Sequence, residues 1–130
     1  MNTGYEEVRA LVANVMGFND WLKDVEPIEP MRLDQYGHCG GMNFSIDWPN
    51  TKEKTRMCIR YNDNDTYDVQ LFQYQGYKQT GLQIEKEISR DGMLVLLSTL
   101  YQEIVSLSNE ILQAHIFELS KETKKILKEF

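Results

Sequence analysis

The chain has 130 residues, 42% of them apolar and 26% charged, with a formal net charge of -6. That balance describes one globular domain over residues 1–130 and excludes disordered, collagen-like and low-complexity chains. The longest uninterrupted apolar run, Met93–Leu97, is far short of the roughly 20 residues that cross a bilayer.

In chain order, Thr3 is placed to cap a helix over about residues 4–16, with Tyr5, Val8, Leu11, Val12 and Val15 on one face. Gly17 stands where a helix stop is expected, and Phe18 can fold back on the helix end. Asn19 or Asp20 restarts a short helical turn carrying Trp21, Leu22 and Val25; Pro27 and Pro30 end it, and Gly37, Gly40 and Gly41 mark a loop.

The middle of the chain alternates with period two. Met42, Phe44, Ile46 and Trp48 fall on one side of a first strand, and residues 49–52 form a turn. A second strand turns Met57, Ile59 and Tyr61 inward and Arg56, Cys58 and Arg60 outward. After a turn at Asn62–Asp65, a third strand turns Tyr67, Val69 and Leu71 inward and Asp68, Gln70, Phe72 and Tyr74 outward. Pairing Tyr61 with Tyr67 sets inner residues against inner and Arg60 against Asp68, a self-consistent register. A weaker fourth strand over about residues 77–85 is expected to turn Leu82 and Ile84 inward. Beyond Gly92 there is neither glycine nor proline. Leu97, Leu100, Ile104, Leu107 and Ile111 make a helical stripe, capped by Ser89 or Asp91. A second helix can begin at Ser120, or the two can run as one. The expected fold is α+β: an N-terminal helix, a three- to four-stranded antiparallel meander, then one long or two consecutive C-terminal helices.

Residues 1–36 carry seven acids against three bases, an acidic third suited to a basic partner, with Glu6, Glu7, Asp20 and Asp24 among the candidates. The chain has no basic face of the kind duplex binding needs. Its nearest approach, Lys121, Lys124, Lys125 and Lys128, suits a helix C-terminus. The N-terminus lacks the basic and apolar regions of a signal peptide. The expected compartment is therefore cytoplasmic and reducing, with Cys39 and Cys58 as thiols.

Catalytic motifs are thin. His38-Cys39 beside Gly40-Gly41 has the residue types of a thiolate–imidazole pair, but neighbours in extended chain point opposite ways. His38, Cys39, Cys58 and His115 lack zinc-ligand spacing. Asp63, Asp65 and Asp68 resemble the start of a calcium loop until the pattern breaks at Tyr67 and Asp68, and a turn explains them. No cofactor is called for. The pattern that folding explains least is Phe72-Gln73-Tyr74-Gln75-Gly76-Tyr77: outward aromatics, with Arg56 and Arg60 on the neighbouring strand, have the composition of a protein contact surface. The alternative is that the N-terminal helix, or Trp21 and Leu22, covers that face. The expectation is a non-catalytic protein-binding module, a small acidic inhibitor or immunity-type protein of a phage or mobile element, acting on another protein. A small-molecule binder or modest enzyme with a pocket near His38, Cys39, Tyr61 and Trp48 is one alternative; a homodimer zipped along residues 93–130 is another.

Overall fold

A computed structural model describes residues 3–15, 17–33, 36–48 and 53–128, with side chains placed for all of these except 32, 33, 36, 37, 47 and 111–128. Helix α1 (Thr3–Ala13) leads through a 3-10 turn (Phe18–Trp21) into strands β1 (Leu22–Ile28), β2 (Met31–Leu33), β3 (Tyr36–Asp47), β4 (Glu53–Asn62), β5 (Tyr67–Gln75) and β6 (Lys78–Ile88), and helix α2 (Arg90–Lys128) closes the chain. The strands run β1-β3-β4-β5-β6 across the sheet, with β2 beside β3, and every pairing is antiparallel.

This is an α+β fold with five strands along the sheet rather than three or four. The additional strand lies in the Pro- and Gly-rich stretch expected to be a helical turn and loop. Among the described residues only Phe18–Trp21 is helical there. Leu22–Ile28 is extended and pairs with β3, and Gly37, Gly40 and Gly41 lie within β3. Pro27 is tolerated because β1 is an edge strand, where a missing N–H costs no ladder bond on the open side. Gly40 is where α1 crosses β3: Gly4 packs so tightly on the Gly40 carbonyl that a Cβ there would collide with it. The central register is as expected, with Tyr61 opposite Tyr67, Ile59 opposite Val69, Met57 opposite Leu71 and Arg60 opposite Asp68. The turn at 49–52 lies outside the described residues.

Both helices pack on the same face of the sheet. Val8, Leu11 and Val12 of α1 and Met93, Leu97 and Ile104 of α2 are buried with Met42, Phe44, Ile46, Met57, Ile59, Tyr67 and Val69 in one core. Helix α1 includes Thr3 and ends at Ala13 rather than running over about 4–16; Gly17 is left-handed, φ 85°, but opens the 3-10 turn, which puts Phe18 in that core. There the Phe18 ring meets Phe44 and Tyr101 edge-on, at centroid distances of 6.1 and 6.4 Å. Ser89 caps α2, its hydroxyl accepting the Gly92 N–H at 3.1 Å. The helix backbone then continues unbroken through Ser120 to Lys128, one helix of 39 residues, about 58 Å at 1.5 Å per residue. No helix among the described residues is long and apolar enough to cross a membrane.

Phe18 is fully buried between helix and sheet, so Phe18→Ala should cost about 3–5 kcal/mol. Urea unfolding followed by circular dichroism reads this directly; a loss under about 1 kcal/mol would show that the 3-10 turn is not part of the core.

Candidate interaction surface

With both helices on one side, the outward residues of the strands form a sheet face that no described helix covers. The registers place Lys23, Ser45, Arg56, Phe72 and Leu82 along one rung of this face, and Glu26, Asn43, Cys58, Gln70 and Ile84 along the next. Leu82 and Ile84 thus point away from the helices, contrary to the inward orientation expected. The register shifts between Gln73 and Tyr74 and between Tyr67 and Val69. Those bulges set which β6 side chains meet each face, whereas alternation counted from the sequence assumes an unbroken ladder.

The face has two chemically distinct halves. Over β1, β3 and β4 it is polar and internally bonded. The Arg56 guanidinium donates to Ser45 Oγ at 2.9 Å and to Asn43 Oδ1, and lies 3.7 Å from a Glu26 carboxylate oxygen. Arg60 donates to Gln70 Oε1 at 2.9 Å. Cys58 sits between these arginines; burial raises its thiol pKa, and Arg60 and Arg56 offset part of the rise. Over β5 and β6, beside Gln70, the face carries apolar side chains: Phe72 is half-buried, while Leu82 and Ile84 are 52% and 48% exposed.

The candidate residues divide accordingly. Arg56, Arg60, Phe72 and Tyr74 share the open face. Tyr77 stands fully exposed in the β5–β6 turn. Glu6 and Glu7 lie on α1, across the sheet from that face, with Glu7 close enough to raise the pKa values of Tyr61 and Tyr67 as one contributor among several. Asp20 belongs to the 3-10 turn, and Asp24 sits at the β1 bulge with φ 51°. The acids and the aromatics are therefore not one surface. Sequence reasoning missed Leu82 and Ile84 as surface residues.

The pocket expected near His38, Cys39, Tyr61 and Trp48 is divided between opposite ends of β3. His38 Nδ1 accepts the Gly40 N–H at 3.0 Å, and the Cys39 thiol donates to Asp63 Oδ1 at 2.9 Å, so each partner looks elsewhere than to the other. Tyr61 donates to Asp65 Oδ1 at 2.6 Å, which holds its phenol pKa above the usual value, with burial adding to the effect. Asp68 accepts from Asn62 Nδ2 and from the Glu87 N–H, both at 2.9 Å. The three aspartates that resembled a calcium loop are thus ties of a turn. Among the described residues no group of three or more His, Cys, Asp or Glu is placed to hold a metal ion. Trp48, at the other end, donates to Thr55 Oγ1 at 2.7 Å and borders an open groove of about 460 Å³ against Gln102, Glu103, Ser106 and Leu107 of α2.

No protein-family model, curated protein or solved structure matches this chain.

Two outcomes test this geometry. Arg56→Ala leaves Ser45, which is 3% exposed, without its donor, and should cost about 1–3 kcal/mol in urea unfolding; no loss would mean that the arginine is held by nothing that matters. His38 has its pKa lowered by burial and secondarily by Arg60, with Asp68 opposing. The unfolded chain therefore binds the proton more tightly, and the stability His38 contributes is complete above about pH 6.5 and declines as pH falls from there through its lower folded value. Unfolding at about pH 8 and about pH 5.5 should show a larger acid loss in the wild type than in His38→Gln. Equal losses would contradict the assignment.

Proposed function

We propose that this chain is a non-catalytic protein-binding module, and that its contact surface is the apolar margin of the open sheet face: Phe72, Leu82 and Ile84, with Tyr74 and Tyr77 at the turn end. One observation carries this reading: two aliphatic side chains, each about half exposed, stand beside Phe72 on a face without a helical cover. Apolar area contributes about 25 cal/mol per Å² when it leaves water. A contiguous apolar strip bordered by polar groups is the composition of an interface core with its rim. The Arg56 and Arg60 networks act as scaffold, keeping the face flat and their own charges occupied, rather than as free contacts. Small size and the net charge of -6 extend the reading to an acidic inhibitor or immunity-type protein that occludes a partner with a basic rim.

The test combines a photo-crosslinking residue at position 82 with the double variant Leu82→Ser/Ile84→Ser, in lysate of the source organism. Position 82 should give a discrete adduct with another protein that the exposed α1 position Ala13 does not. The double variant, with an unchanged melting curve, should retain at least about tenfold less of that protein. Equal capture by the wild type and the variant would move the contact elsewhere, and absence of any adduct would count against the reading.

A further inference from the structure

Strand β6 is the last strand of the sheet, and both its faces are exposed along most of its length. Its ladder with β5 is regular only over Gly81–Glu85, opposite Gln73–Val69, and a register shift interrupts it on each side. That regular stretch is five residues long and centred on Gln83, and neither helix roofs it. An open edge of this kind offers unpaired backbone donors and acceptors to another strand.

We infer that two copies of this chain pair through β6, antiparallel about a twofold axis at Gln83, joining their sheets and their open faces. The sequence of the stretch is complementary to its own reverse. Gln83 meets Gln83 of the second copy, Leu82 meets Ile84 on the open face twice over, and Gly81 leaves room opposite Glu85. No like charges stand opposite one another. The neighbouring registers are worse. Centring on Leu82 sets Lys78 against Lys86, centring on Ile84 sets Leu82 against Lys86, and centring on Glu85 sets that carboxylate against itself; like charges directly opposite destabilise a strand pair. In the favoured register the row Phe72–Leu82 of one copy runs into Ile84 of the other, doubling the apolar strip. The bulges beyond Gly81 and Glu85 limit the pairing to this stretch, and a twofold seam closes on itself, so the assembly stops at two.

A seam this short gives a weak dimer, with a dissociation constant of about micromolar or above. Sedimentation equilibrium of the full chain from about 1 to about 500 µM should show the mass rising from 15.3 kDa towards twice that value. Gln83→Lys and Gln83→Glu each place like charges face to face across the axis and should weaken association about fivefold. An equimolar mixture of the two should recover it, with the mixed dimer visible by native mass spectrometry. Gln83 is exposed, so both variants should melt as the wild type does; if one does not, the pair Gln83→Arg and Gln83→Asp serves in its place. A monomer at every concentration, association indifferent to both charges, failure of the mixture to recover, or growth past two copies would each overturn the inference. These variants leave Leu82 and Ile84 intact, so dimerisation and capture of a different protein are read separately.

Discussion

The arrangement depends on burial from one side only. Val8, Leu11 and Val12 of α1 and Met93, Leu97 and Ile104 of α2 meet the inner residues of β3, β4 and β5 in a single core, and that core holds α1 and the first turns of α2 against the sheet. A sheet with one helical layer must leave its other face to water, and every backbone and side-chain group there has to be satisfied without a roof. Over β1, β3 and β4 the side chains satisfy one another: Arg56 ties Ser45, Asn43 and Glu26 together, and Arg60 holds Gln70. That network reaches β5 at Gln70, and beyond it Phe72, Leu82 and Ile84 occupy the face. The contrast between the halves, more than the mere presence of aromatics, marks the second half as the part whose composition folding does not explain.

The same one-sidedness explains which features were legible in the sequence. Strands β3, β4 and β5 each bury one face, so their period-two pattern is clean, and the pairing of Tyr61 with Tyr67 follows residue by residue. The Ser89 cap is local chemistry and reads equally well, whereas α1 ends at Ala13, short of the expected stop, and Gly17 instead opens the 3-10 turn. Strand β1 was hidden because it buries little and contains Pro27, and the start of β3 because its glycines sit in close backbone packing rather than a loop: Gly4 of α1 lies against the Gly40 carbonyl and Gly41 against the Ile59 carbonyl of β4. These are tertiary causes with no local signature. Strand β6 was visible as a strand but not in its orientation, since a bulge is a property of the pair and leaves no mark on one strand alone.

The candidate chemistry was legible as residue types and misleading as a site. His38, Cys39, Tyr61 and three aspartates do converge at the end of the sheet around the β4–β5 turn. Each donor there is matched with an acceptor: Cys39 with Asp63, Tyr61 with Asp65, Asn62 and the Glu87 N–H with Asp68. The Cys39 thiol donates to the Asp63 carboxylate, and a neighbouring negative charge disfavours the thiolate that a nucleophile requires. Adjacency in sequence brought the right groups together, and turn geometry then used their hydrogen-bonding capacity to fix the backbone.

The bulges of β6 connect the two surface features. Exposed edges are ordinarily defended by charges and by irregular backbone, and β6 has both in Lys78, Lys86 and its two register shifts. The defences lie at the ends, and the undefended middle holds the only aliphatic residues of the strand that point to the open face, Leu82 and Ile84. Had the bulges been absent, the ladder would run regularly along the strand, and the edge would accept a partner in several registers. With them, only Gly81–Glu85 is competent to pair, and within that stretch the side chains select one register. A strand meant solely to repel others would carry its charges at the centre; here the central Leu82–Ile84 is uncharged, Glu85 ends the regular stretch, and Lys78, Lys86 and Glu87 lie beyond it, which turns a general hazard into a single defined contact.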